Sequence, residues 1–201
     1  MSRTNTKTQI VAAAENLFAQ QGFAATSVSE IAAAVGVSSP AIYKHFRNKL
    51  AIYEAVCDSL FTPLAEATKH LNAAADFSET RQQLQQVLAL LADNPNAARL
   101  VQYATLAKDE TLELISEKWY RRFFAFASRA ADDPSVEWLT APTVMAFHCM
   151  ILGYVTLAPL HESIFHTNPL SSENREAQMQ FQENLVNGLN ALYQAGKLST
   201  K

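Results

Sequence analysis

The chain has 201 residues, a formal net charge of −3, five glycines and two cysteines, and about half of it is hydrophobic. That length buries a core without metal or disulfide staples, and few glycines among many good helix formers point to an all-α protein. Cys57 and Cys149 lie far apart in helical patterns and read as buried free thiols, and no C-x-x-C pair or histidine cluster suits a metal.

In chain order, Met1 to Lys7 lacks the apolar stretch of a signal peptide. Helix one is predicted from about Arg3 to Gln21, with Ile10, Ala13, Ala14, Leu17 and Phe18 at helical spacing and Gly22 at the left-handed C-cap. Helix two runs from Ser27 to Val35, where Ser27 and Glu30 match a capping box. Gly36 breaks it and Val37 plugs the core between helices. Ser38 or Ser39 caps a third, short helix, Pro40 to Phe46, with Pro40 in the tolerant first turn. Two short helices joined through a glycine turn form a helix-turn-helix pattern. Arg47-Asn48-Lys49 opens a long fourth helix reaching about Ala74, and Pro63 inside it predicts a kink or break near Leu60. Further helices are expected at 78–92, 95–107, 110–131, 141–159 and 173–196, about nine in all. The breaks fall at Asp93-Asn94-Pro95, Lys108-Asp109, Asp132-Asp133-Pro134 and a loop from Pro159 to Ser172. The longest apolar run, Val144 to Leu160, is interrupted by His148, Gly153, Thr156 and Pro159. It is too short and polar for a membrane span, so a soluble, cytoplasmic protein is expected.

Charge is divided unevenly. Before residue 53, Arg3, Lys7, Lys44, Arg47 and Lys49 face Glu15 and Glu30, giving +3 and leaving −6 for the remainder. A basic head on an acidic body implies that the head alone meets a polyanion. In helix three, Ser39, Pro40, Ala41 and Lys44 lie on the solvent side, opposite Ile42 and Phe46, and Ser38 at its start is a further candidate for DNA contact. Lys44 has the reach to donate to guanine O6 and N7, while Pro40 and Ala41 pack on a thymine methyl. Ser27 at a helix start, Tyr43, His45, and Lys49 with its helix-start amides are candidates for phosphate. His45 reads equally as a ring packed beside Phe46. Arg3 and Lys7 form a candidate minor-groove arm.

The run Ile31-Ala32, Gly36-Val37-Ser38, then Ile42-Tyr43-Lys44-His45-Phe46-Arg47-Asn48-Lys49 resembles the TetR family of transcriptional regulators. The likeness extends back through Leu17-Phe18 and Gly22-Phe23, covers about the first quarter of the chain and departs at Leu50, where an acidic residue is common. It implies DNA-contact roles for Tyr43, His45 and Lys49. It also implies a helix-turn-helix domain over 1–48 joined to a helical ligand-binding and dimerisation domain over 49–201. A homodimer on a palindromic, double-stranded operator is then expected, with the last two long helices pairing into a four-helix bundle. Gly153, Phe181, Leu185, Leu189 and Leu192 are the interface candidates, against an ordinary intrachain core. The resemblance further implies a pocket for an unidentified small-molecule effector. Phe61, Tyr103, Trp119, Phe123, Phe126, His148 and Leu152 are candidates for its lining, though an aromatic stripe reads equally as plain core. His148 is either a polar anchor for a ligand or a core histidine bonded to a carbonyl. No cofactor is expected. No nucleophile turn, phosphate-binding glycine loop or paired Glu-x-x-His segment supports an enzyme. The alternatives are an activator and an architectural DNA-binding protein without a ligand.

Overall fold

The computed structural model describes residues 6–68, 77–125 and 140–196, which form helices and turns with no strand among them. In order these are α1 (Thr6–Ala25), α2 (Val28–Val35), α3 (Ser39–Tyr43), α4 (Lys49–Thr68), α5 (Phe77–Asp93), α6 (Asn96–Ala107), α7 (Glu110–Ile115), α8 (Ala141–Thr156), α9 (Ala158–Phe165) and α10 (Ser172–Gln194). A π turn (Ser116–Tyr120) and a short α turn (Arg121–Phe123) continue α7. The expectations placed on Arg3, on helix four beyond residue 68, on Phe126 and on the Asp132-Asp133-Pro134 break lie outside the described residues. The chain divides into two compact units, Met1–Pro63 with Asn96–Tyr120, and Leu64–Pro95 with Arg121–Lys201. The unit bearing the helix-turn-helix thus takes in α6 and α7 as well as the first 48 residues.

In the first unit, Ile10, Ala14 and Phe18 bury one face of α1, and α6 packs against that helix through a run of small and aliphatic residues, Ala97 to Ala104. Gly22 interrupts α1 rather than ending it. Its φ of 81° and ψ of 170° are open only to glycine, and the chain resumes one helical turn to Ala25. Tyr103 on α6 lies against this kink, and its hydroxyl donates to the Gln20 carbonyl at 2.8 Å. The capping box forms as expected: the Glu30 amide donates to Ser27 Oγ at 3.1 Å, and the Ser27 amide to Glu30 Oε2 at 2.7 Å. Gly36 ends α2 in the left-handed conformation at φ 73°. Helix α3 is shorter than expected, stopping at Tyr43, and Ser38 holds its N-cap position without a side-chain bond. Asn48 caps α4, its Oδ1 accepting the Ala51 amide at 2.8 Å. That helix is unbroken through Pro63, where the two units divide, so the expected break near Leu60 is absent.

In the second unit α5 packs against both α8 and α10. Leu88 and Leu91, Val144, Ile151 and Val155, and Met179 supply buried apolar surface. The single helix expected over 141–159 is two, α8 and α9, meeting at a 62° bend. Leu157 leaves helical geometry, and Pro159 starts the new helix where its missing N–H costs nothing. Half of the expected Pro159-to-Ser172 loop is therefore helix. Among the described residues no single helix is long and apolar enough to cross a membrane. Cys57 is a buried free thiol as expected, but Cys149 is exposed, because it lies on the outer face of α8 with Met145 and not beside Val144.

Candidate nucleic-acid interface

Helix α3 is held from one side. Ile42 is fully buried and Phe46 is 6% exposed, and they anchor it to the unit's core. The opposite side is open: Pro40, Tyr43, Lys44 and His45 are exposed, with Ser39 and Ala41 half-buried at the margin. Tyr43 presents 53% of its surface, unusual for an aromatic with a core beside it. Ser38 is exposed at the helix start, and Ser39 Oγ donates to Ser29 Oγ across the turn at 3.4 Å. His45 is exposed beside the buried Phe46, so the packed-ring reading is not the one observed. Lys44 and Arg47 add exposed cations to this face, while the Lys7 ammonium sits 5.5 Å over the Phe46 ring.

Two phosphate candidates take on different roles. Lys49 Nζ donates to the Phe23 carbonyl at 2.7 Å, to Thr26 at 2.9 Å and more weakly to Ala24 at 3.5 Å, and lies 4.2 Å from the centre of the Phe23 ring. An ammonium has three donors. All are directed at the carbonyls where α1 ends, so the phosphate contact expected of Lys49 gives way to a structural one. Ser27 is exposed, yet its amide already serves the Glu30 carboxylate. That amide, then the Ser27 hydroxyl and Gln21, hold the Glu30 carboxyl below its usual range. Both donors of Ser27 are thus turned toward Glu30, and an incoming anion would have to compete with that carboxylate for them.

The candidate pocket residues fall in different places. Phe61 and Trp119 are buried together in the first unit, ring centres 5.4 Å apart. Tyr103 lines a separate cavity of about 140 Å³ in that unit, bounded by Phe18, Gly22, Phe23, Tyr53, Leu100 and Thr111, with no other pocket candidate in its wall. Phe123, His148 and Leu152 belong to the second unit, each half-buried. His148 meets the Phe124 ring edge-on at 5.2 Å, and burial lowers its pKa. A further buried polar residue, Gln182 on α10, went unread because nothing marks it among the many glutamines of that helix. Sequence spacing was equally silent on Lys118, which bridges Glu54 at 3.0 Å and Asp58 at 2.9 Å.

Helix α10 has two apolar faces. Met179 and Gln182 are buried on the inner one, and Leu189 lies half-buried. Phe181 at 58%, Leu185 and Leu192 are exposed on the outer one, and Met145 and Cys149 are exposed along α8. Gly153 lies half-buried one turn beyond Cys149.

Residues 10–56 match the family described as bacterial regulatory proteins, tetR family. The chain is 41% identical over 71 residues to the HTH-type transcriptional regulator TtgR of Pseudomonas putida, a stretch covering 35% of this chain and 32% of that one. It is 31% identical over 134 residues to the HTH-type transcriptional activator FasR of Mycolicibacterium smegmatis, covering 58% and 61% of the two chains. The match thus spans about a third of the first relative's length. The fold is similar to a putative transcriptional regulator, SCO4942, from Streptomyces coelicolor, with a TM-score of 0.64 and 23% identity over 90% of this chain and 98% of that one.

Proposed function

We propose that the chain, whose residues 10–56 match the tetR family of regulators, is a homodimeric transcriptional repressor, released from a palindromic operator by a small molecule. The observation that carries this reading is α3, anchored by Ile42 and Phe46 while Pro40, Tyr43, Lys44 and His45 are free to meet a major groove. One such helix covers a few base pairs, so useful specificity needs two half-sites and a two-fold dimer. The outer faces of α8 and α10, with Phe181, Leu185, Leu192 and the small Gly153, are the surfaces that would pair. Such a protein reads DNA and catalyses nothing.

Ligand binding would favour a dimer geometry in which the recognition helices no longer match successive grooves. By linkage, operator and ligand weaken each other by the same factor, typically ~1–3 kcal/mol. A selection from random duplex DNA tests the reading. An enriched inverted repeat, bound by a dimer, is the expected result, and no enriched sequence at moderate salt would overturn it. The likeness to the transcriptional activator FasR favours activation as the second reading, because the position of an operator relative to a promoter decides whether its occupant blocks or recruits. The same selected site, placed in a reporter, separates the two.

A further inference from the structure

Three polar side chains are buried among the described residues: Thr26, Thr111 and Gln182. Thr26 Oγ1 donates to the Gly22 carbonyl at 2.8 Å, and Thr111 Oγ1 donates to Asp109. Gln182 differs: it is 1% exposed, and neither its Nε2 nor its Oε1 has a partner. A buried amide with both ends unmade is rare in folded proteins and points to a missing partner. Gln182 lies on the inner face of α10, one turn from Met179, where the helix packs against α5 with its buried Leu88 and Leu91. No ionisable side chain is buried among the described residues of this unit.

Helix α8, which also packs on α5, carries His148 one turn from both Val144 and Ile151 on its inner face. The Tyr154 hydroxyl donates to the Pro169 carbonyl at 2.7 Å, with the Asn174 carbonyl 3.2 Å away, and so holds the end of α8 against the start of α10. From that tie His148 stands about 9 Å back along α8 and Gln182 about 12 Å on along α10, at 1.5 Å per residue. Desolvation keeps the imidazole neutral to lower pH.

We propose that the Gln182 amide is the polar anchor of a small-molecule site inside the C-terminal unit, and that its ligand is an uncharged, largely apolar compound bearing a primary amide or a lactam. The inference deepens the ligand-responsive reading above and rests on it. An amide offers an acceptor and a donor side by side. A second amide answers both at once, its carbonyl accepting from Nε2–H and its N–H donating to Oε1. A single buried water is the poorer occupant, because it needs two to four polar partners, and Gln182 is the one buried polar side chain of this unit among the described residues. A carboxylate is disfavoured because no cation is buried among the described residues of this unit to meet it.

The test uses the purified full-length chain and three probes of similar shape, benzamide, acetophenone and benzoate, titrated by calorimetry. Benzamide should bind roughly tenfold more tightly than either of the others. Gln182→Leu should bring benzamide down to the acetophenone level, leave acetophenone unchanged, and raise the melting temperature by removing an orphaned amide. Equal binding of the three probes, or none at millimolar concentration, would overturn the proposal, since water alone then fills the site. So would an amide preference that survives Gln182→Leu, or a lower melting temperature in that variant. Operator binding by the same preparations separates the two readings. If it is absent in the wild type the regulator reading fails, whereas a missing amide preference with operator binding intact sinks the ligand class alone.

Discussion

The two lysines that flank the recognition helix do different work, and substitution should separate them. Lys44 is exposed on the open face of α3. Lys44→Ala should cost roughly 1–3 kcal/mol of operator affinity and relax the preference at one base position, with thermal stability unchanged. Lys49 donates into the carbonyls of Phe23 and Thr26, and Lys49→Ala should instead lower folding stability by about 1–3 kcal/mol, read as a shift in the urea midpoint. Equal melting temperatures for the two variants would show that the Lys49 bonds contribute little. His148 sets a pH dependence. Its folded pKa lies below the ordinary 6.5 because burial disfavours the imidazolium. Between those values the unfolded chain binds more protons, so this stability is full above 6.5 and declines as the pH falls below it. Urea midpoints at neutral and mildly acidic pH should diverge in the wild type and converge in His148→Leu.

At the scale of elements, the sequence announced what local chemistry decides and hid what tertiary contacts decide. The capping box at Ser27, the left-handed Gly36 and the helix boundaries near Lys49, Phe77, Asn96 and Glu110 follow from spacing and cap residues, and all are seen. The Gly22 kink was legible as a glycine with a special conformation. That it interrupts the helix depends on Tyr103, 81 residues away, lying against it. A Cβ at Gly22 would approach the Tyr103 ring to 3.0 Å, and its φ is closed to side chains. Gly22→Ala should therefore destabilise by more than ~1 kcal/mol, and adding Tyr103→Ala should return the steric share while leaving the backbone share. The division of 141–159 at Leu157 was hidden because both halves are apolar and Pro159 fits a helix start as well as a helix end. Of the candidate interface, the α3 face was readable from its period. The capture of Lys49 by carbonyls was not, since its partners lie 23 to 26 positions upstream.

For the whole molecule, the chain passes between its two compact units three times: inside α4 at Pro63, between Pro95 and Asn96 ahead of α6, and at the end of the π turn, between Tyr120 and Arg121. The first and last of these passages sit where the regular helical bonding is altered, by a proline or by the wider π ring. Pro63→Ala should change the coupling between effector and operator while sparing operator affinity in the free protein. Paired titrations with and without effector measure it, and unchanged coupling would rule out Pro63 as a pivot. The outer face of α10 would carry the proposed self-association. Phe181→Glu should turn a dimer into a monomer on size exclusion and weaken operator binding in step, because two half-sites are no longer linked.

That outer face has a shape of its own. Ala177, Phe181, Asn184, Gly188 and Ala191 are exposed in turn, stepping by four, three, four and three residues. The mean step of 3.5 falls short of the 3.6 that closes a helical turn, so the seam drifts around α10 by ~20° every seven residues. A straight rod laid along it would lose contact within a few turns, whereas a partner helix that winds left-handed stays seated to the end. Two copies meeting there would cross at about 20°. The handedness of the assembly would then be written in the rhythm of one helix.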